Sequence, residues 1–573
     1  MDVGANPRDR QLRVAAETEY DLVIVGGGIF GACALWEASL RGLKAVLFEA
    51  HDFCSGSSAN SYKIVHGGTR YIQHLDIPRV RASAHERRAM LRIAPHLVEP
   101  LPILVPTYGL GKMAKWFLAA GLSLYDLVTL DRNRGITDPD RRLKSTRLLS
   151  RQRVLETFPG VAAEGLTGAC VFEDGRFYNP TRLVYTFIKS ALTRGAAAIN
   201  YCPATALLLD GDQVTGVRVR DSQSGQQYNV RAKAVLNAAG PWTERLLRTT
   251  LPQNVVPDGP YSRDACFVIK RRFSTPYTLA LQGQTSDPDA LLSRPARHLF
   301  LSPWRDYTLV GVWHKVTTEH PEAIQVSAEE LQCFIDEMNA SMPSLALTLD
   351  DVLFWNAGLV PFGENDEGST NLSYGKRSLL MDHQELNGIE GLVSLIGVRY
   401  TMARGEAQKA LDMLQRKIGQ RLRPSISDRT RLQGADFGTF QQLKKDIAAA
   451  WPIALDLSAL DAMAHNCGSD YRSLLPLLAR EPQLAEPLPA CHVTGAEVLY
   501  RCRTEMVQTL GDLVFRRTDI ATAGHPGQPA LQAVARIAQA ELGWPDAYTR
   551  AEIVAVERRF PQFNEVDPME AVE

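Results

Sequence analysis

The stretch DLVIVGGGIFGACALWEASLRGLKAVLFEA, residues 21–50, constrains this 573-residue chain more than any other. Residues 21–25 are an unbroken apolar run suited to a buried parallel strand, residues 29–41 carry helical spacing, and residues 44–49 return to strand. Between the first strand and the helix stand Gly26, Gly28 and Gly31 in G-x-G-x-x-G spacing. The first glycine allows a tight turn, the second lets backbone approach a pyrophosphate, and the third packs helix on strand. The helix N-terminus, with Ile29 and Phe30 in its first turn, then faces the phosphates. Glu49, followed by Ala50, ends the second strand and is placed to accept hydrogen bonds from ribose hydroxyls. Together these features specify a dinucleotide-binding βαβ unit, but FAD and NAD share the fingerprint. The sequence holds one full G-x-G-x-x-G, whereas an FAD enzyme that also used a nicotinamide nucleotide would need a second such unit. That favours a flavoenzyme passing electrons to a quinone, another carrier or oxygen.

The rest of the chain sets limits. Its length suggests two to four folding units. Lys+Arg total 63 against 64 Asp+Glu, a net charge of -1, so no overall field steers it to nucleic acid, and none is expected as a partner. Nine cysteines without a CxxC pair argue against a zinc site or a disulfide framework and for a reducing, cytoplasmic setting. The first twenty residues lack the apolar run of a secretory signal, and no apolar stretch reaches membrane-spanning length. Short β runs fill residues 198–240, mixed strands and a helix near 328–340 fill the middle, and a strand at 392–396 leads through Gly397 into a helix at 401–418. Past residue 424 the apolar spacing is helical throughout.

The run CSGSSANSYKIVHGGTRYIQHLDIPRVRASAHERRAMLRIAPHL resembles the segment following the nucleotide motif in FAD-dependent glycerol-3-phosphate dehydrogenases and oxidases. The likeness continues through YDLVTLDRN, YNPTRLV, NAAGPW and GAEVLYRCRTEMVQTLGDLVFRRT, so it covers nearly the whole chain in order. It implies FAD as cofactor and a mixed α/β and α+β fold. The implied parts are a Rossmann-like FAD domain of the glutathione-reductase type, a β-sheet substrate cap resembling that of D-amino-acid oxidases, and a helical C-terminal domain. The FAD domain would take residues 20–107, 160–255 and 355–420, the cap 108–159 and 256–354, and the helical domain 424–573. By position, Ser57, Ser58, Ser61 and Lys63 would lie along the FAD pyrophosphate and ring, and His66, Gly67 and Gly68 beside the isoalloxazine. Ala239, Gly240 and Trp242 would lie on the diphosphate side, Ala204 at the adenine, and Gly397, Arg399, Tyr400 and Thr401 near the ring.

Flavin oxidation of an alcohol needs a base for the hydroxyl proton and cations for an anionic substrate and the reduced ring. Arg70 and Tyr71 keep the family's H-G-G-x-R-Y, and Arg399 replaces a lysine while keeping positive charge, with Thr401 and Arg404 matching around it. Lys376 and Arg377 lie near a further phosphate-contacting arginine of the family. Three positions depart from the pattern. Val360 stands where the family has a substrate-contacting arginine, Cys266 falls near a histidine proposed as base, and Gly311, Val312, Trp313 and His314 replace G-T-T-D, placing bulk and an imidazole on a strand expected to face the pocket. A thiol of ordinary pKa is a poor base, so His314 is the candidate proton acceptor.

The default reaction is glycerol 3-phosphate to dihydroxyacetone phosphate. A different hydroxyl or amine substrate, or a flavin-binding scaffold without turnover, are the alternatives. The segment GLGKMAKWFLAAGLSLYDLV, with Lys112, Lys115, Trp116 and Phe117, suits either a membrane-interface helix or a core helix. A homodimer stays open.

Overall fold

The computed structural model describes residues 7–109, 114–251, 261–283, 298–317, 321–361 and 378–561. Within it the opening stretch forms strand Glu19–Val25, helix Ile29–Leu40 and strand Ala45–Phe48. Leu22 pairs with Ala45 on one side and Ala234 on the other, both in parallel register. Among the described residues, five strands run parallel in the order Leu392–Ile396, Gln227–Asn237, Glu19–Val25, Ala45–Phe48, Ala197–Ile199, and Leu379–Asp382 adds an antiparallel edge. Helices Ile29–Leu40, Pro180–Leu192 and Ala403–Ile418 supply Leu35, Phe187 and Leu411 to one face, against Leu22 and Leu47. Val23, Val46 and Val235 point to the other face, packed by Leu12, Val217 and Leu247. Burial on both faces explains why these strands read as continuous apolar runs.

The second sheet has the order Val352–Pro361, Tyr261–Ile269, Tyr307–Thr317, His298–Trp304, Thr278–Gln282, Val98–Tyr108, Leu166–Phe177, Ile64–Val65. Helix Ala328–Ser341 covers one face, with Phe334, Ile335 and Met338 against Phe267, Leu299 and Val310. The opposite face turns toward the glycine-rich loop. The cap sheet is larger than the expected 108–159 and 256–354. It takes in Ile64–Val65, Val98–Tyr108 and Leu166–Phe177 from spans assigned to the FAD domain, and all of Val352–Pro361. An apolar alternation marks a strand but not the sheet it joins, because long-range pairing is absent from the local pattern.

The C-terminal part is helical, with principal helices Phe440–Ala450, Leu457–Cys467, Gly495–Thr504, Gln528–Leu542 and Asp546–Glu557. A capping box starts the third: the Thr494 hydroxyl accepts from the Glu497 amide, and the Glu497 carboxylate accepts from the Thr494 amide. This domain packs Val498, Leu513 and Val534 with Trp304, Leu309 and Phe354 of the cap. Among the described residues no helix is long and apolar enough to cross a membrane, and no cluster of His, Cys, Asp or Glu is arranged to hold a metal.

Candidate active site

The glycine-rich turn adopts backbone that other residues would not tolerate. Gly26 has φ +105°, and a Cβ there would stand 2.6 Å from the Ala238 carbonyl oxygen; one on Gly31 would stand 1.9 Å from the Gly26 oxygen. The cap residue Gly28 offers no side chain to helix Ile29–Leu40, so the first-turn amides beyond Ile29 remain for an anionic ligand. Ser58 Oγ accepts from the Ile29 amide at 3.0 Å. The Glu49 carboxylate accepts from the amides of Gly27 at 2.6 Å and His51 at 2.9 Å. Burial pushes its pKa up while those two amides hold it down. The carbonyl of Glu49 accepts from the Cys202 amide, which brings the start of strand Ala204–Asp210 to the end expected to meet adenine. Ala239 and Gly240 follow strand Gln227–Asn237, and Trp242 lies over Gly56 while its indole donates to Glu322 at 2.9 Å.

The serine-rich loop joins this turn to the cap. Ser57 Oγ donates to the Leu359 carbonyl at 3.1 Å, and a Cβ on Gly358 would lie 3.4 Å from Ser57. Tyr62 donates to the Phe300 carbonyl at 3.0 Å, with its ring in the space that Gly311 leaves by having no side chain. Lys63 is buried, with its ammonium 3.3 Å from the Ser61 carbonyl and 4.6 Å from the Trp304 ring centroid. Burial and neighbouring Arg305 pull its pKa down to about 8, against the opposing pull of Cys266. Burial likewise raises the Cys266 thiol, so it is no ready thiolate. Ser61 Oγ and Asn356 Nδ2 are shielded from solvent and lack a partner among the described residues. Such orphans are costly unless a ligand completes them.

The cap strands decide which side chains see this recess. Gly358 faces Ser57, and its cross-strand partner is Asp264, whose other partner is His314. Directly paired residues share a face, and His314 Nδ1 lies 2.8 Å from Asp264 Oδ1. Ser262 Oγ donates to the same oxygen at 2.8 Å. The imidazole and carboxylate are about a quarter exposed, so the pair is open to the recess. A register shift between Ala265 and Cys266 leaves Val312 without a pairing partner on Tyr261–Ile269. Trp313 corrects the sequence reading: its ring packs 5.4 Å from Phe334, on the helix-covered face, and adds no bulk to the recess.

On the other side, Gly67 sits where a side chain would collide with Arg87 and Tyr125, and its amide donates to Asp174 Oδ1 at 2.7 Å. Asp174 also accepts from Arg87 at 2.7 Å and lies 3.3 Å from His66 Nδ1. The His66 amide donates to Thr401 Oγ1 at 3.1 Å. Gly68 has φ +84° above Ser83. Arg399 donates to Ser83 Oγ at 2.9 Å and lies 5.3 Å from the Tyr71 ring centroid. Arg70 is exposed beside them. Tyr400 serves packing, its hydroxyl donating to the Pro180 carbonyl. The Phe30 ring fills the space over Gly397. Arg404 forms a buried bidentate pair with Glu86, a structural role, and Val360 leaves the cap strand without a charge there. Lys112, Lys376 and Arg377 lie outside the described residues.

Residues 21–388 match the model of a family described as FAD dependent oxidoreductase, and residues 425–549 match the C-terminal domain of alpha-glycerophosphate oxidase. The chain belongs to the FAD-dependent oxidoreductases. A glycerol-3-phosphate dehydrogenase from Synechocystis is 29% identical to this oxidoreductase, covering 92% of this chain and 94% of the relative. The mitochondrial enzyme of that name from Mus musculus is also 29% identical, over 96% of this chain and 74% of its own. The solved glycerol-3-phosphate dehydrogenase from Bacillus halodurans, complexed with FAD, shares the fold at TM-score 0.73 and 23% identity, covering 98% and 99% of the two chains.

FAD is the cofactor of the oxidoreductase, and its residues fit the group: a helix N-terminus whose cap residue Gly28 has no side chain, close-approach glycines, and the orphaned Ser61 and Asn356. When bound, FAD supplies the two-electron acceptor. Lys63, Arg399 and Tyr71 offer charge and hydrogen bonds at the recess. Sequence reasoning missed Asp264, Tyr62, Asn356 and the Asp174–Arg87 pair. Only Asp264 carried a local signal, since the alternation of Ser262, Asp264 and Cys266 puts three polar side chains on one strand face.

Proposed function

We propose that this oxidoreductase converts glycerol 3-phosphate to dihydroxyacetone phosphate, the hydride going to FAD and the hydroxyl proton to His314. The His314–Asp264 pair carries the reading. Alcohol oxidation needs a base within reach of the hydroxyl, and a carboxylate on Nδ1 fixes the tautomer that presents Nε2. Arg399 and Arg70 are the cations for the phosphate, Val360 having removed one available in the family pattern. The relatives named glycerol-3-phosphate dehydrogenase support the substrate. Anaerobic mixing with glycerol 3-phosphate should bleach the oxidised flavin rapidly. Absence of bleaching at high concentration would remove this substrate and favour another small anionic alcohol.

For the acceptor we infer a quinone reached at the inner face of a membrane. Helix Lys115–Val128 buries only Leu122 and Tyr125 and exposes Trp116 at 75%, Phe117 at 61% and Leu127 at 63%, with Leu130 beyond its end at 75%. An amphipathic helix with an aromatic face suits the headgroup boundary. Co-sedimentation with anionic vesicles should retain the enzyme. Self-association without vesicle binding would instead make this face a homodimer contact.

A further inference from the structure

A small, part-open cleft lies away from the active site, between the end of helix Ile77–Ile93, the turn at residues 135–141 and the start of the C-terminal domain. Arg92, Arg141 and Arg431 line it. Arg141 is 4% exposed. Its Nη1 donates to Glu99 at 3.1 Å and its guanidinium lies 4.1 Å from the Phe440 ring centroid. Its Nε and Nη2 are shielded from solvent with no partner among the described residues. Arg92 crosses Gly135, where a Cβ would stand 2.9 Å from its Cζ. Arg431 Nη1 holds the carbonyls of Ala435 and Phe437, and Nη2 reaches Thr137 Oγ1 at 3.5 Å.

The carboxylates nearby are already committed. Asp138 accepts from the amides of Asp140 at 3.0 Å and Phe440 at 2.7 Å. Glu99 accepts from Arg176 as well as Arg141. Three arginines therefore line a cleft whose anions face other donors. A shielded guanidinium with two open donors is an expensive arrangement without a partner, and a planar fork is shaped for a tetrahedral or carboxylate oxyanion.

We propose that the cleft binds one small oxyanion of the phosphate class, which clamps Arg431 of the C-terminal part to Arg92 and Arg141. A free phosphate ion and a lipid phosphate share this chemistry, and the experiment separates them. The holoenzyme is titrated with inorganic phosphate at constant ionic strength held with sodium chloride, reading Tm and heat of binding. The expected result is a saturable rise in Tm, weakened at least about tenfold in Arg92→Gln and partly restored in Arg92→Lys. The Arg92 side chain has no hydrogen bond or ion pair with another described residue, so Arg92→Gln should keep its FAD content and its Tm without phosphate. A phosphate response unchanged by Arg92→Gln would assign the ion to the substrate recess and overturn the proposal. So would no response beyond that to chloride, unless phosphatidate vesicles bind in an Arg92-dependent way, which would keep the cleft and make its ligand a lipid headgroup.

Discussion

At the seam between the FAD domain and the C-terminal helices, Asp52 is fully buried and accepts from Arg516 at 2.6 Å, Arg517 at 2.7 and 2.8 Å, and Asn200 at 2.8 Å. Arg182 grips Glu505 through two bonds of 2.6 and 2.9 Å, and Arg501 adds a third at 3.0 Å. Between the FAD loop and the cap, polar groups are just as withheld from water, yet Ser61 Oγ and Asn356 Nδ2 lack partners. Both regions bear the desolvation cost of buried polarity. At the seam that cost is offset within the chain, which fixes the domains together; at the recess the completing atoms must come from a cofactor and substrate. The Asp52 and Glu505 carboxylates are structural, whereas Ser61 Oγ and Asn356 Nδ2 face the cofactor loop without a partner of their own.

Two substitutions should pull the regions apart most strongly. His314→Ala should slow flavin reduction roughly 10²–10⁴-fold, the range for losing a general base, with the denaturation midpoint unchanged, because the imidazole is open to the recess. Retention of the wild-type rate in stopped-flow mixing would dismiss His314 as the base. Asp52→Ala should do the reverse. It strands the buried Arg517 guanidinium, while Arg516 keeps Asp512, and should lower stability by about 3–5 kcal/mol, read from denaturant unfolding, while turnover per folded molecule changes little. If both variants lost activity and stability alike, the distinction between seam and recess would fail.

Acid should attack the seam next. His465 stacks on Tyr178 with centroids 3.9 Å apart, and burial pulls its pKa down to about 4. Below about pH 6.5 the unfolded chain takes up a proton that the folded histidine refuses, so stability falls as pH drops from there to 4, by on the order of 3 kcal/mol. Burial would raise Glu505, but Arg182 and Arg501 hold it at about 2. Its contribution is therefore complete above about pH 4.5 and is lost between there and pH 2. Thermal melts across this range should decline in two stages; burial also pulls His383 down to about 4 and His96 well below its ordinary value, so His465→Phe should shrink the upper stage without abolishing it. A flat Tm between pH 6.5 and 4 would count against a neutral buried His465.

The two regions were unequally legible in the sequence. The βαβ unit was readable residue by residue, because a tight turn, a close approach and a buried parallel strand each impose a local residue type. Strand Leu392–Ile396 and the helices past residue 424 were equally plain. The cap was not: whether Val98–Tyr108 belongs to one sheet or the other is settled by pairing with Leu166–Phe177, some seventy residues on. His314 and Trp313 show the same limit at the scale of one side chain. Period-two alternation separates neighbours onto opposite faces, yet which face meets the flavin loop depends on the contact of Gly358 with Ser57. The seam left no trace beforehand, since Asp52 and Arg517 meet across 465 positions.

Helix Lys115–Val128 extends the comparison to a third surface, where apolar rather than polar groups lack partners. Trp116 and Phe117 are largely exposed, so replacing them with alanine removes almost no packing and should leave the melting temperature and the rate of flavin reduction as they were. Partial burial of each ring in a lipid boundary is worth about 1 kcal/mol. The double variant should bind anionic vesicles about thirtyfold more weakly and reduce a membrane-dissolved quinone more slowly, while a water-soluble dye is reduced at the wild-type rate. Equal loss with both acceptors would mean that the helix supports the fold of the cap instead, and unchanged vesicle binding would detach this face from the membrane altogether.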